Sequence, residues 1–306
     1  MKSHNCLYIL IILAMISAWI ATGCAGGPPE QPIVTVSIEP QRYLLEQITG
    51  DRVQVRSLLT EGANPETYDP SVTHMHNLGK SIGYLRMGNI GFEAALIDKI
   101  REANPDLKIF DTSAGVEPIL GTHAHGPHEH TAIDPHTWTS VKNAKIIAAN
   151  MLKAMEQIDS GNKTYYRRNY EIFAARLDSI DSLITSRLAP HRGSSFMVWH
   201  PSLSYFARDY GLNQIVVGNA EHKESSVTDL RTAIDDARSR GASIFFFQKD
   251  FDSRQVSAIN SELEACEVTI NPLSYKWEDE IVRIAESIAS GAAAPANDKQ
   301  STDKAS

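Results

Sequence analysis

Apolar residues in this chain fall into two patterns that take turns. Short runs with little internal alternation, at Ile33 to Ile38, Val53 to Leu59, Tyr84 to Met87 and Lys108 to Phe110, read as strands buried on both faces. Between them Tyr43 to Ile48, Ser71 to Lys80 and Phe92 to Ala103 read as helices, and a further helix at Asn143 to Ile158 closes this first half. Strand and helix in alternation predict a parallel sheet covered on both faces.

A different segment follows. Tyr166, Tyr170, Phe173, Leu177, Ile180, Ile184 and Leu188 recur at steps of three and four, with Arg and Asp between them, until Pro190 ends the run. A helix from Thr164 to Ala189 would be about 39 Å long at 1.5 Å per residue, roughly the width of a domain. A flexible joint would be Gly and Ser; this composition predicts a rigid strut.

Beyond the strut the plan repeats. Strands are predicted at Ser195 to Trp199, Gln214 to Val217, Ser243 to Phe247 and Val268 to Ile270, and helices at Leu203 to Tyr210, Val227 to Arg240, Arg254 to Ala265 and Glu278 to Ile288. Ser226 and Asp229 form a capping box for the second of these helices. The fold class expected is α/β: two parallel-sheet domains joined by one long rigid helix, with a cleft between them.

The ends are read separately. An apolar run from Leu7 to Ile20 follows Lys2 and leads into Ala21-Thr22-Gly23-Cys24, which has the form of an export signal. Cysteine directly after Gly23 gives it the look of a bacterial lipoprotein signal, with Cys24 the lipidated first residue; a plain signal peptide cut nearby is the alternative. The expected division is a signal over 1–23, a tether over 24–32, an N-terminal domain over 33–163, the connecting helix over 164–190, a C-terminal domain over 191–290 and a disordered tail over 291–306.

Charge narrows the partners. Lys2 is the one charged residue in the signal, so its removal leaves 28 of 29 basic residues against 37 acidic ones, about nine net negative charges. Nucleic acid is not an expected partner, because a phosphate backbone rewards clustered Lys and Arg. Of three cysteines, Cys6 leaves with the signal and Cys24 is committed to lipid, so no intramolecular disulfide is expected and Cys266 reads as a lone buried thiol.

Histidine adds the chemistry. Five of the eleven histidines, His123, His125, His128, His130 and His136, lie between Gly121 and Ser140. The first four sit among Gly126, Pro127 and small residues without period, as in a mobile surface loop that could collect metal weakly. His136 differs: Asp134-Pro135 pins the backbone just ahead of it, and a helix follows. Ligands in open α/β sheets gather beyond the carboxyl ends of strands, and Glu66, His200, Gln248 and Asn271 all stand there. Two imidazoles and one carboxylate from both halves could therefore meet in the cleft. His74, His76 and His222 read as surface residues, and Trp138, Trp199 and Trp277 as core and rim packing.

At this point the chain resembles the zinc- and manganese-binding proteins of bacterial ABC importers, solute-binding protein family 9. Gly62-Ala63-Asn64-Pro65-Glu66-Thr67-Tyr68-Asp69-Pro70 is similar to that family's first motif and Asp134-Pro135-His136-Thr137-Trp138 to its second. Trp199-His200-Pro201 with Tyr205-Phe206-Ala207 is similar to the third, and Asn271-Pro272-Leu273 to the fourth. The resemblance implies a metal site of Glu66, His136, His200 and Asn271 between two α/β domains. It also implies a monomeric carrier that hands its ion to a membrane permease and ATPase. Two positions depart from the family: Glu66 stands where histidine is usual, and Asn271 where Asp or Glu is usual. An amide is a weak neutral ligand, which leaves the fourth position open between Asn271 and water.

The expected cargo is Zn²⁺, with Mn²⁺ the alternative. The imidazole pair disfavours magnesium and calcium, Glu66 and Asn271 lean toward manganese, and a histidine loop at this place is a mark of zinc members of the family. Binding should weaken as pH falls through about 6.5, where imidazoles take up protons. A zinc-dependent hydrolase is the rival class, although the chain has no His-Glu-x-x-His helix and no nucleophile elbow. A surface adhesin or metal-buffering lipoprotein would share the fold.

Overall fold

The computed structural model describes residues 31–59, 65, 68–121, 132–217, 227–248 and 259–291. In the first half, strands β1 (Ile33–Val36), β2 (Gln54–Ser57), β3 (Gly83–Arg86) and β4 (Ile109–Asp111) alternate with helices α1 (Glu39–Thr49), α2 (Val72–Gly79) and α3 (Gly91–Ala103). The four strands form an all-parallel sheet in the order β2-β1-β3-β4. Helix α4 (Val141–Ile158) starts at Ser140, whose hydroxyl accepts from the Asn143 N–H at 3.2 Å.

The second half contains β7 (Ser195–Val198), α6 (Ser204–Tyr210), β8 (Asn213–Val216), α7 (Val227–Ser239), β9 (Ile244–Gln248), β10 (Cys266–Ile270) and α8 (Trp277–Gly291). Its sheet, again parallel, has the order β10-β9-β7-β8. Read from the other edge this is the order of the first sheet. In each, the first strand in sequence is central, and its carboxyl end lies where the chain departs to opposite sides, which is the place that favours a ligand.

Helix α5 (Lys163–Leu188) is the strut. Tyr166, Phe173, Leu177, Ile184 and Leu188 of the predicted stripe are buried, and Tyr170 and Ile180 are half-buried at its margin. Full burial of such a side chain contributes about 1.5–3 kcal/mol, so the stripe rather than helix propensity fixes this element. The helix packs on α1 and α4 of the first half and on α8 of the second. Asn169 donates to the Ile48 carbonyl at 3.0 Å, and Arg176 pairs with Glu278 at 2.9 Å. One continuous apolar cluster includes Val34 and Leu85 of the first sheet with Phe196 and Phe246 of the second.

Three features differ from expectation. A two-stranded antiparallel ribbon, β5 (Leu120–Gly121) with β6 (Ala132–Ile133), spans the roots of the histidine-rich segment. Its strands are too short to register as a period. Cys266 is exposed, because β10 is an edge strand. Strand order is nonlocal, so an apolar neighbourhood in sequence could not reveal this edge. His74 is half-buried, with its Nδ1 2.6 Å from the Tyr68 hydroxyl. The capping residue Ser226, His222, most of the helix predicted from Arg254, the signal and the tail lie outside the described residues. Among the described residues, no helix is long and apolar enough to cross a membrane.

Candidate functional site

His200 is carried by the central strand of the second sheet. The Trp199 N–H continues the ladder by donating to the Phe246 carbonyl at 2.9 Å, and the Ser202 N–H then donates to the His200 carbonyl at 2.7 Å, turning the chain toward α6. His136 arrives from the first half. It leads a single turn of tight helix, Thr137–Thr139, between β6 and α4. The Thr139 N–H and hydroxyl both donate to the His136 carbonyl, at 3.1 and 2.9 Å, and the Asn143 amide donates to the Thr137 carbonyl at 3.0 Å.

Asp134 sets the direction of the ring. Its Oδ1 accepts from the His136 N–H at 2.9 Å and lies 2.8 Å from His136 Nδ1. A carboxylate accepts only, so Nδ1 carries the proton and a neutral His136 presents a bare lone pair at Nε2. Burial pushes the Asp134 carboxyl up, but the hydrogen bonds it accepts from His136 outweigh this and hold the group below the ordinary carboxylate range.

The two imidazoles meet. His136 Nε2 and His200 Nε2 are 3.1 Å apart, with ring planes at 78° and both residues buried, at 5 % and 7 % exposure. Two nitrogens each about 2.05 Å from a zinc ion at the tetrahedral angle would be about 3.3 Å apart. The pair is therefore spaced as two ligands of one cation within a few tenths of an ångström. Trp138 packs against the His136 ring at 5.3 Å between centroids and screens it from water.

The remaining predicted residues divide. Asn271 follows β10; its N–H donates to Glu280 at 2.7 Å, and its side-chain oxygen accepts from the Leu273 N–H at 3.1 Å. Its neighbour Pro272 is tied to the histidine turn, because the Trp138 indole donates to the Pro272 carbonyl at 2.8 Å. Gln248 ends β9 and is half-buried. Glu66, His123, His125, His128, His130 and Cys24 lie outside the described residues. Among the described residues no group of three His, Cys, Asp or Glu side chains is placed to hold a metal.

In the sequence Asp134 reads as a turn former; in the structure it also orients the His136 ring. An acid two residues before a candidate ligand was the available sign. Tyr205 was legible as a motif member but not in its role: its hydroxyl donates to the Asp134 carbonyl at 2.9 Å and accepts from the Ile119 N–H at 3.2 Å.

Comparison with known proteins places this geometry in a family. Residues 34–289 match the family model described as zinc-uptake complex component A, periplasmic. A zinc-bound ZnuA deletion mutant is 32 % identical, with a TM-score of 0.78, and the match covers 87 % of this chain and 100 % of that one. A crystal structure of ZnuA is likewise 32 % identical, with a TM-score of 0.77 over 85 % of this chain and 98 % of that one. The manganese ABC transporter substrate-binding lipoprotein PsaA of Streptococcus mitis is 22 % identical over 275 residues, 86 % of this chain and 87 % of its own. The family match takes in both sheets and the strut, so this chain belongs to the zinc-uptake component A family, metal-binding carriers of ABC importers rather than enzymes, and the hydrolase alternative falls away.

Proposed function

We infer that this protein captures Zn²⁺ outside the cytoplasmic membrane and delivers it to the permease and ATPase of an ABC importer. His136 and His200 are the nitrogen ligands, Glu66 supplies the negative charge, and Asn271 or a water completes the site. The observation that carries this reading is the imidazole pair: two Nε2 atoms 3.1 Å apart, with Asp134 behind one of them. Two neutral rings hold a dication only weakly unless an anion joins them, and Glu66 is the acid that the first motif offers. Lipid on Cys24 would hold the carrier at the membrane face, toward the periplasm or the cell exterior.

Support for zinc over manganese comes from the nitrogen pair, from the histidines at 123, 125, 128 and 130, and from the higher identity to the zinc-bound relative. The test is native mass spectrometry with Zn²⁺ and Mn²⁺ in competition, on the wild type, on His136→Ala and on a chain lacking residues 123–130. One tight zinc equivalent should be lost in His136→Ala and kept in the deletion, where weak extra binding disappears. Preference for manganese in the wild type would overturn the choice of cargo. A tight equivalent retained in His136→Ala would overturn the site.

A further inference from the structure

His136 belongs to the first half by chain order, yet the turn that carries it is anchored from the second. At its leading end the Tyr205 hydroxyl donates to the Asp134 carbonyl at 2.9 Å. At its trailing end the Trp277 indole donates to the Trp138 carbonyl at 2.8 Å, while the Trp138 indole returns a bond of 2.8 Å to the Pro272 carbonyl. His136 lies midway between the two anchored carbonyls. All three aromatic side chains are buried, so each bond is shielded and each lost donor would leave a polar group unpaired.

Both imidazoles are thus tied to the second half. His200 leaves the central strand of the second sheet, and Tyr205 stands on the helix that starts four residues later. The Tyr205 bond reaches the backbone of the residue whose carboxylate orients His136, and the Trp277 bond reaches the backbone just beyond the ring. The same turn is also held by its own half, where the Asp134 N–H donates to the Ile119 carbonyl at 2.9 Å and the Thr137 hydroxyl lies 3.3 Å from Met87 Sδ.

We propose that Tyr205 and Trp277 are positioning residues that fix the spacing of the His136–His200 pair from the second half of the chain, and thereby set the affinity and coordination geometry of the cation site. Neither touches the cation; they act through the backbone carbonyls of Asp134 and Trp138. This rests on the assignment of His136 and His200 as ligands.

The experiment compares Tyr205→Phe and Trp277→Phe with the wild type, with His136→Ala, and with Tyr210→Phe as a control. Tyr210 also buries a hydrogen-bonded hydroxyl, 3.0 Å from Asp181, but makes no bond to the turn. Zinc affinity is read by competition against a chromophoric chelator, coordination by the visible absorption of the Co²⁺-loaded protein, and stability by urea unfolding without metal. Tyr205→Phe and Trp277→Phe should each keep one equivalent, weaken zinc on the order of tenfold and change the cobalt spectrum. Tyr210→Phe should lower the urea midpoint and leave affinity and spectrum as they were.

Zinc dissociation constants within about twofold of wild type in the first two variants would overturn the proposal, as would an equal loss of affinity in Tyr210→Phe. Should Trp277→Phe not fold, Tyr205→Phe removes a single oxygen and decides alone. The arms also separate the two readings. Tight zinc in His136→Ala removes the site itself, whereas zinc lost there and unchanged in Tyr205→Phe removes only the anchoring role.

Discussion

The two sheets have the same strand order, but their ligand crevices have opposite fates. Beyond the central strand of the second sheet, the chain offers His200, and His136 comes to meet it. Beyond the central strand of the first, the chain offers Ser37, and the crevice is closed by the protein's own carboxylate. Glu93 of α3 accepts from the Ser37 hydroxyl and from the backbone N–H groups of Met87 and Gly88, both at 2.7 Å, and the Tyr84 hydroxyl lies 2.7 Å from Ser37. Gly88 permits this wrap: it adopts φ +127°, and a side chain there would run into Ser113 and Asp111. One topology thus produces both a cradle whose donors are satisfied internally and a crevice in which two imidazole nitrogens lie 3.1 Å apart. What distinguishes them is the chemistry of the residues at the strand ends, since the strand order is shared.

That contrast is sharpest where it can be broken. His200→Ala removes one of the two converging nitrogens, and it should lower zinc affinity by more than the roughly hundredfold that marks loss of an outer partner. Isothermal titration against a competing chelator measures it, and a constant near that of wild type would mean the open crevice is not the site. Asp134→Ala comes next. It leaves both rings but frees the His136 tautomer and orientation, so a loss of about 10–100-fold in the same titration is expected.

The histidine pair of the open crevice is legible in the sequence, and the closed crevice is not. Asp134-Pro135 reads as a turn that pins His136, His200 directly follows an apolar strand, and imidazole is a metal-binding type. Glu93 sits in the first turn of a helix, where an acid ordinarily reads as a solvated partner of the helix dipole. Its burial follows from the folding back of the Met87–Gly88 turn, which sequence spacing does not record. The anchors on the histidine turn were hidden for the same reason: Trp277 and Trp138 are far apart in sequence, and only the docking of the second half onto the first brings the indole to the carbonyl.

On the closed side the expected effect is on stability rather than on zinc. Glu93→Gln keeps the shape of the side chain but turns one acceptor into a donor, and an N–H of Met87 or Gly88 or the Ser37 hydroxyl then faces a second donor. Leaving such a buried group unsatisfied costs about 1–3 kcal/mol. Urea unfolding without metal should show that loss, while the variant still takes up one zinc equivalent. Lost zinc binding with unchanged stability would reverse the roles assigned to the two crevices.

The smallest effect concerns how that difference moves with pH. Burial pushes the Glu93 carboxyl above its ordinary range, and the hydrogen bonds from Ser37, Gly88 and Met87 only partly oppose it. An acid with a raised folded value holds its proton longer in the folded chain than in the unfolded one, so its contribution is most favourable at pH below the unfolded value. It declines as pH rises through the interval up to the folded value. Gln at this position does not titrate, and other acids contribute equally to both proteins, so they cancel in the comparison. The stability advantage of the wild type over Glu93→Gln should therefore be greatest in mild acid and shrink as pH rises through that interval. Paired urea curves across the interval measure it, and an advantage that grew with pH would mean that the hydrogen bonds, rather than burial, govern this carboxylate.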